Sequence, residues 1–292
     1  MFSKKAKIAV IVSVMVVSIV IFGAVLGTQL KRKTSSSIKF PQYNSSTVSM
    51  NLSVHELVKK WTKSKNWKIV DYNYGKATTK LINNTILQVK YPKGSYIPSA
   101  PIHGGVQFYA SPVVFPSNMI KLRYSIMFPS NFDWVKGGKI FGIYIGDIGS
   151  NGGDHIPNGA SARLMWRTGG LLEAYLYYSG NQVSELENEP GYITNNDFGV
   201  SLWRGSFRAQ AGNWTDITLR VKSNSFKKND GYIGLTVNNV TMEFNRMMWS
   251  VNALPINGIM CHTFFGGQDV TWSTPIDQYA HFKDFSVSRQ PF

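Results

Sequence analysis

Two arginines, a serine, a glutamate and three tyrosines fall within SARLMWRTGGLLEAYLYY, residues 161–178. The polar positions alternate with apolar ones, as in a half-buried β-hairpin. A face that merely met solvent would be served as well by Lys, Thr and Glu. Arginine beside tyrosine offers chemistry: a nearby guanidinium lowers a phenol's pKa from about 10 and prepares a proton acceptor. Lys139, in KIFGIYIG, would bring a second cation. The competing reading is plain cross-strand packing of Arg on Tyr over an exposed sheet.

Other groups carry weaker signals. ELENE, residues 185–189, sets Glu185, Glu187 and Glu189 on one side of an extended segment, and a glycoside hydrolase needs such paired carboxylates. Pro190-Gly191 follows at once, which favours a solvated loop. GSNGG, residues 149–153, lacks the lysine and helix of a phosphate loop. Cys261 is the sole cysteine and the five histidines are scattered, so a catalytic thiol is not expected, nor is a metal or other cofactor. Five tryptophans, at 134, 203, 214, 249 and 272, are the right type to stack on sugar rings, although most in such a fold are core.

The hairpin must position its polar groups, and loop parity decides which of them meet. A three-residue loop at Thr168-Gly169-Gly170 pairs Arg167 with Leu171. Residue 165 then opposes 173, 163 opposes 175 and 161 opposes 177. Ser161, Arg163, Tyr175 and Tyr177 become neighbours on one face, with Arg167 and Glu173 beside them. Ala162, Leu164, Trp166, Leu172, Ala174 and Leu176 form the core face. A two-residue loop would mix Arg163 with Leu176.

The same alternation recurs from Trp67 onward in TILQVKY, IKLRYSIMF, WTDITLRV, GYIGLTVNNV, IMCHTFFGG and YAHFKDFSVS. Many short strands without intervening helices, in a chain with 26 glycines and 43% apolar residues, predict an all-β jelly-roll sandwich of antiparallel sheets. One short helix is expected over residues 54–61, with Ser53 as N-cap and Glu56 completing a capping box. Loops 146–159 and 180–199 are long enough to be functional.

The N-terminus is a separate object. Residues 8–26 are uncharged and almost wholly apolar, flanked by Lys4, Lys5 and Lys7 and by Lys31, Arg32 and Lys33. That length spans a bilayer. The expected organisation is a basic tail at 1–7, an uncleaved transmembrane anchor at 8–28, a polar tether at 29–55 and the sandwich at 56–292. The sandwich would then be lumenal or external, at a cell-surface or viral membrane. Net charge is +15, of which six charges lie in residues 1–33. The remaining excess suits a polyanionic partner. Nucleic acid is disfavoured, because no binding signature for it is present.

GGKIFG, SARLMWR, EAYLYY, GNWTDITLRV and HTFFGGQDVTWSTPIDQYAHFKDF, in that order over roughly residues 85–290, resemble polysaccharide lyase family fourteen, the alginate and glucuronan lyases. The resemblance implies a jelly roll whose sheet forms a cleft for an acidic glycan, and no metal. It implies Lys139, Ser161, Arg163, Tyr175 and Tyr177 as the catalytic set. Lys139 and Arg163 would offset the uronate carboxylate, and the tyrosines would serve as base and acid for β-elimination. Ser161 would bond substrate or orient a tyrosine, and Arg167, Glu173 and Gln268 would contact substrate. The chain departs from the family where Gln268 replaces the serine of a GGS-D motif, and loop 146–159 lacks the cysteines common there. A non-catalytic glycan-binding surface or virion protein on the same fold is the alternative.

Overall fold

The computed structural model describes residues 48–154, 156–195 and 198–289. In chain order its strands begin with β1 (Val48–Asn51), β2 (Ile69–Tyr74), β3 (Thr79–Ile82), β4 (Ile86–Tyr91) and β5 (Val106–Ala110). β6 (Met119–Met127), β7 (Gly137–Gly146), β8 (Gly159–Arg167), β9 (Leu171–Tyr177) and β10 (Val200–Arg208) follow. β11 (Trp214–Lys222), β12 (Gly231–Val237), β13 (Val240–Met247), β14 (Ile256–Phe265) and β15 (Gln278–Arg289) complete the set.

They form a sandwich of two antiparallel sheets. One runs β13-β12-β11-β6-β15-β4-β3, with β1 also paired to β15; the other runs β10-β9-β8-β7-β14-β5-β2. Alternation dictates the layers. Leu122, Ile126, Leu219 and Val221 turn inward from the first sheet and meet Leu164, Trp166, Leu172 and Leu176 from the second, all fully buried. Each such side chain contributes about 1.5–3 kcal/mol of hydrophobic free energy. Trp67, Trp166, Trp203 and Trp249 are also core, so two of the five tryptophans considered as sugar platforms are structural.

Two bulges break the alternation. In β7 the register shifts between Ile140 and Ile143, and Ile140 and Phe141 are both buried. The extra residue puts Lys139 and Tyr144 on the same outward face despite their odd spacing. In β10 the register shifts between Leu202 and Phe207. There Trp203, at φ 61°, goes into the core and Arg204 turns outward.

Helix α1 (Val54–Lys60) starts where expected: the Ser53 hydroxyl accepts the Glu56 N–H. The capping box is only half made, because the Glu56 carboxylate accepts from Ser64 and Asn66 instead. Residues 48–55 belong to the sandwich rather than to a tether. β1 pairs with β15, and Leu52 and Val54 are buried, since apolar side chains there complete the core that the polar composition obscured. Residues 8–28 lie outside the described residues; among those described, no helix is long and apolar enough to cross a membrane. Cys261 is a free thiol buried in β14, held well above its ordinary pKa by burial.

Candidate active site

The outward face of the second sheet carries the polar row. The β8–β9 hairpin pairs Ser161 with Tyr177, Arg163 with Tyr175 and Met165 with Glu173, the register that loop parity required. Gly169, at φ 70°, takes the left-handed turn of its three-residue loop. β7 sets Lys139 opposite Met165, so a lysine from a third strand joins the group.

Lys139 Nζ lies 3.8 Å from the centroid of the Tyr175 ring and 2.7 Å from Met165 Sδ. Its partners are an aromatic face and a thioether, not a carboxylate. Burial, then Arg163 and Arg167, hold its pKa well below the ordinary lysine value. Arg163 is 1% exposed, with its guanidinium carbon 5.6 Å from the Tyr177 ring. The two tyrosine rings meet edge to face at 5.7 Å, and the Tyr175 hydroxyl accepts the Gly199 N–H at 3.0 Å.

A guanidinium beside a phenol was expected to lower the phenol's pKa. At Tyr175 the outcome is the reverse. Burial raises its pKa and Tyr177 adds to the rise, outweighing the Gly199 N–H and Arg167. In this site the amine is driven toward its neutral form and Tyr175 toward its protonated form.

Arg167 and Glu173, expected to contact substrate, join in an internal clamp. Glu173 has no exposed surface. Arg167 bonds its Oε1 at 2.6 Å, Arg204 bonds its Oε2 at 2.6 Å, and Ser201 donates to Oε1 at 3.0 Å. Both carboxylate oxygens are therefore engaged. Ser161 is fully buried and donates to the Ser150 carbonyl at 2.8 Å, fastening loop 146–159 rather than facing a cleft. Gln268 is exposed on the loop after β14. Of the ELENE carboxylates, Glu185 pairs with Arg246 in solvent and Glu189 accepts from the Trp203 indole.

Several groups here have little sequence signal. Arg204 is delivered by the β10 bulge. His262 on β14 opposes Gln107 on β5, and its ring packs 4.6 Å from Tyr109. Both His262 nitrogens, Gln107 Oε1 and Arg163 Nε are buried without hydrogen-bond partners. Burial and then Arg163 keep His262 well below its ordinary pKa, so the imidazole is neutral. Unfilled polar capacity thus surrounds Arg163, although buried polar groups are normally bonded. No cluster of metal-ligating side chains is present among the described residues.

The floor of this site needs Gly142, whose Cα pairs with that of Met260 on β14. A Cβ there would lie 2.1 Å from the Ala162 carbonyl oxygen and 2.6 Å from the Arg163 Cα. Gly142→Ala is therefore expected to push β8 away and cost about 1–3 kcal/mol. Urea unfolding checks this, and an unchanged midpoint would show that β8 yields freely.

Residues 79–285 match the family model for polysaccharide lyase 14. The chain belongs to polysaccharide lyase family 14. The family 14 alginate lyase of the mollusc Aplysia kurodai is 29% identical, with a TM-score of 0.71 over 84% of this chain and 98% of that one. An alginate lyase of a Chlorella virus is 27% identical, with a TM-score of 0.71 over 82% of this chain and 98% of its own. The curated protein exolysin of Paramecium bursaria Chlorella virus 1 is 27% identical over 197 residues, 60% of this chain but only 30% of that protein. The family 14 match spans both bulged strands and the hairpin between them.

Proposed function

We propose that this family 14 protein cleaves a polyuronate by β-elimination, with Lys139 as proton acceptor. The observation that carries the reading is the chemical state of the row: a lysine pressed toward neutrality lies against a tyrosine held protonated, beside a buried guanidinium. A uronate carboxylate opposes carbanion formation at the adjacent carbon five. Arg163 is the preorganised charge that offsets it, because a guanidinium stays protonated even when buried. The free amine of Lys139 takes the carbon-five proton, the bond from carbon four to the glycosidic oxygen breaks, and a carbon–carbon double bond forms. The Tyr175–Tyr177 pair returns a proton to the leaving oxygen. No water is consumed. Lys139 was expected to neutralise charge and a tyrosine to act as base; the directions of the two pKa shifts support exchanging those roles. Glu173 positions Arg167 and Arg204.

The alginate lyases among the relatives support alginate as the first polymer to test. Incubation with mannuronate, guluronate and glucuronate polymers is expected to give new ultraviolet absorbance from unsaturated ends. Mass spectrometry would show fragments without added water. A folded protein that binds these polymers but releases no product would decide for the non-catalytic alternative.

The same roles set the pH profile. Lys139 must be deprotonated, so activity rises with pH through a value below the ordinary 10.5 of lysine. The acid must be protonated, so activity persists until pH exceeds the ordinary 10.0 of tyrosine, because the Tyr175 shift is upward. An activity that fell from neutral pH upward would contradict this assignment. The apolar run at 8–26 and its flanking cations support placing the catalytic sandwich outside a membrane.

A further inference from the structure

On the far side of the sandwich, the first sheet presents its own outward face. There β6 and β11 set Lys121 directly opposite Arg220, and Arg123 opposite Thr218. Across β15, Ser288 pairs with Lys121 and Ser286 with Arg123; across β12, Thr236 pairs with Thr218. Two rows result: Ser288, Lys121 and Arg220 in one, and Ser286, Arg123, Thr218 and Thr236 in the other, about 4.8 Å apart from strand to strand.

Like charges directly opposite one another on an antiparallel pair are destabilising, yet these cations have almost no internal compensation. The Glu243 carboxylate is 3.7 Å from Arg220 and mostly exposed. Neither Lys121 nor Arg123 forms an ion pair with a described residue. Arg220 Nε and Ser288 Oγ are buried without hydrogen-bond partners, and Ser288 is only 4% exposed. Burial, and after it the neighbouring Arg123 and Arg220, lower the pKa of Lys121. A groove lined by Arg123, Ser125, Asp216, Thr218, Asp284 and Ser286 adjoins them.

We infer that this face is a second, non-catalytic binding site for an acidic polysaccharide, with carboxylates seated on Lys121, Arg123 and Arg220 and sugar hydroxyls on Ser286, Thr218 and Thr236. Charge complementarity requires an anion, and the hydroxyl-lined rows favour a hydroxylated polymer. With the proposed active site on the opposite sheet, one protein holds a polymer at two points, and the second contact becomes intramolecular. The choice of a uronate polymer rests on the proposed function; the existence of the cation site does not.

The test is electrophoresis of the protein through gels containing alginate, at low and at high salt. The comparison is Lys121→Thr/Arg220→Thr, which keeps strand-forming residues at both positions. Wild-type protein is expected to be retarded at low salt, and the double variant to bind about tenfold more weakly, with thermal unfolding no lower than that of the wild type, because the opposed cations are gone, and an unchanged elimination rate on an alginate tetrasaccharide. Equal retardation of both proteins would overturn the inference, as would wild-type protein that cleaves the polymer without being retarded. Capture by phosphatidylserine vesicles but not by alginate would also overturn it, in favour of a lipid surface. Loss of retardation in the double variant, in a protein that makes no unsaturated product, would leave this site standing while removing the proposed activity.

Discussion

Lys139→Ala is expected to lower the turnover of polyuronate about a thousandfold, equivalent to about 4 kcal/mol of barrier, with little change in folding stability. Lys139 Nζ touches only the Tyr175 ring and Met165 Sδ, so its loss leaves no buried carboxylate unpaired. The informative measurement is rescue. If Lys139 supplies a base, small primary amines restore activity to the alanine variant in proportion to their unprotonated fraction, and rescue grows with pH. Lys139→Arg stays inactive, because guanidinium cannot accept the proton. If the lysine serves only to neutralise the carboxylate, Lys139→Arg retains most turnover and rescue follows the protonated amine. Either of the latter results would reverse the assignment.

The second large effect is on stability. Glu173→Gln is expected to cost about 3 kcal/mol, read as a lowered midpoint in thermal or urea unfolding. A fully buried carboxylate binds Arg167 and Arg204 through separate oxygens, and an amide cannot satisfy both. The side chains of Arg167 and Arg204 are 14% and 32% exposed, so solvent tempers the cost relative to a fully enclosed triad. Activity should fall too, since Arg167 also lies 5.9 Å from the Tyr175 ring. Adding Arg204→Met removes one unpaired charge and is expected to restore part of the lost stability. A glutamine variant as stable as the wild type would show that the clamp contributes no net free energy.

The hairpin was legible from its loop. A three-residue loop at Thr168-Gly169-Gly170 is the one parity that keeps the apolar face pure, and it gathers Ser161, Arg163, Tyr175 and Tyr177 on the other. What alternation cannot reveal is depth: it put Ser161 and Glu173 on the right face, where the overlying loop and two arginines then consumed their bonding capacity. Depth also decided the direction of the tyrosine shift, since desolvation outweighed the neighbouring cations. Arg204 was hidden because LWRG holds two successive inward residues, a pattern that only a bulge permits. His262 was hidden inside the apolar run IMCHTFF, where a lone histidine reads as core. β3 is short, β5 is buried on both faces and β2 is broken by two register shifts, so they carry little periodic signal.

The solitary thiol of Cys261 gives the molecule a built-in clock for its own opening. The cysteine lies in an interior strand of the second sheet, next in sequence to His262, has no exposed surface, and its thiolate is suppressed by burial. An alkylating reagent reaches it only when the sandwich itself opens. The rate of its modification therefore counts excursions of this sheet out of its native state, and does so with no second cysteine to confuse the reading.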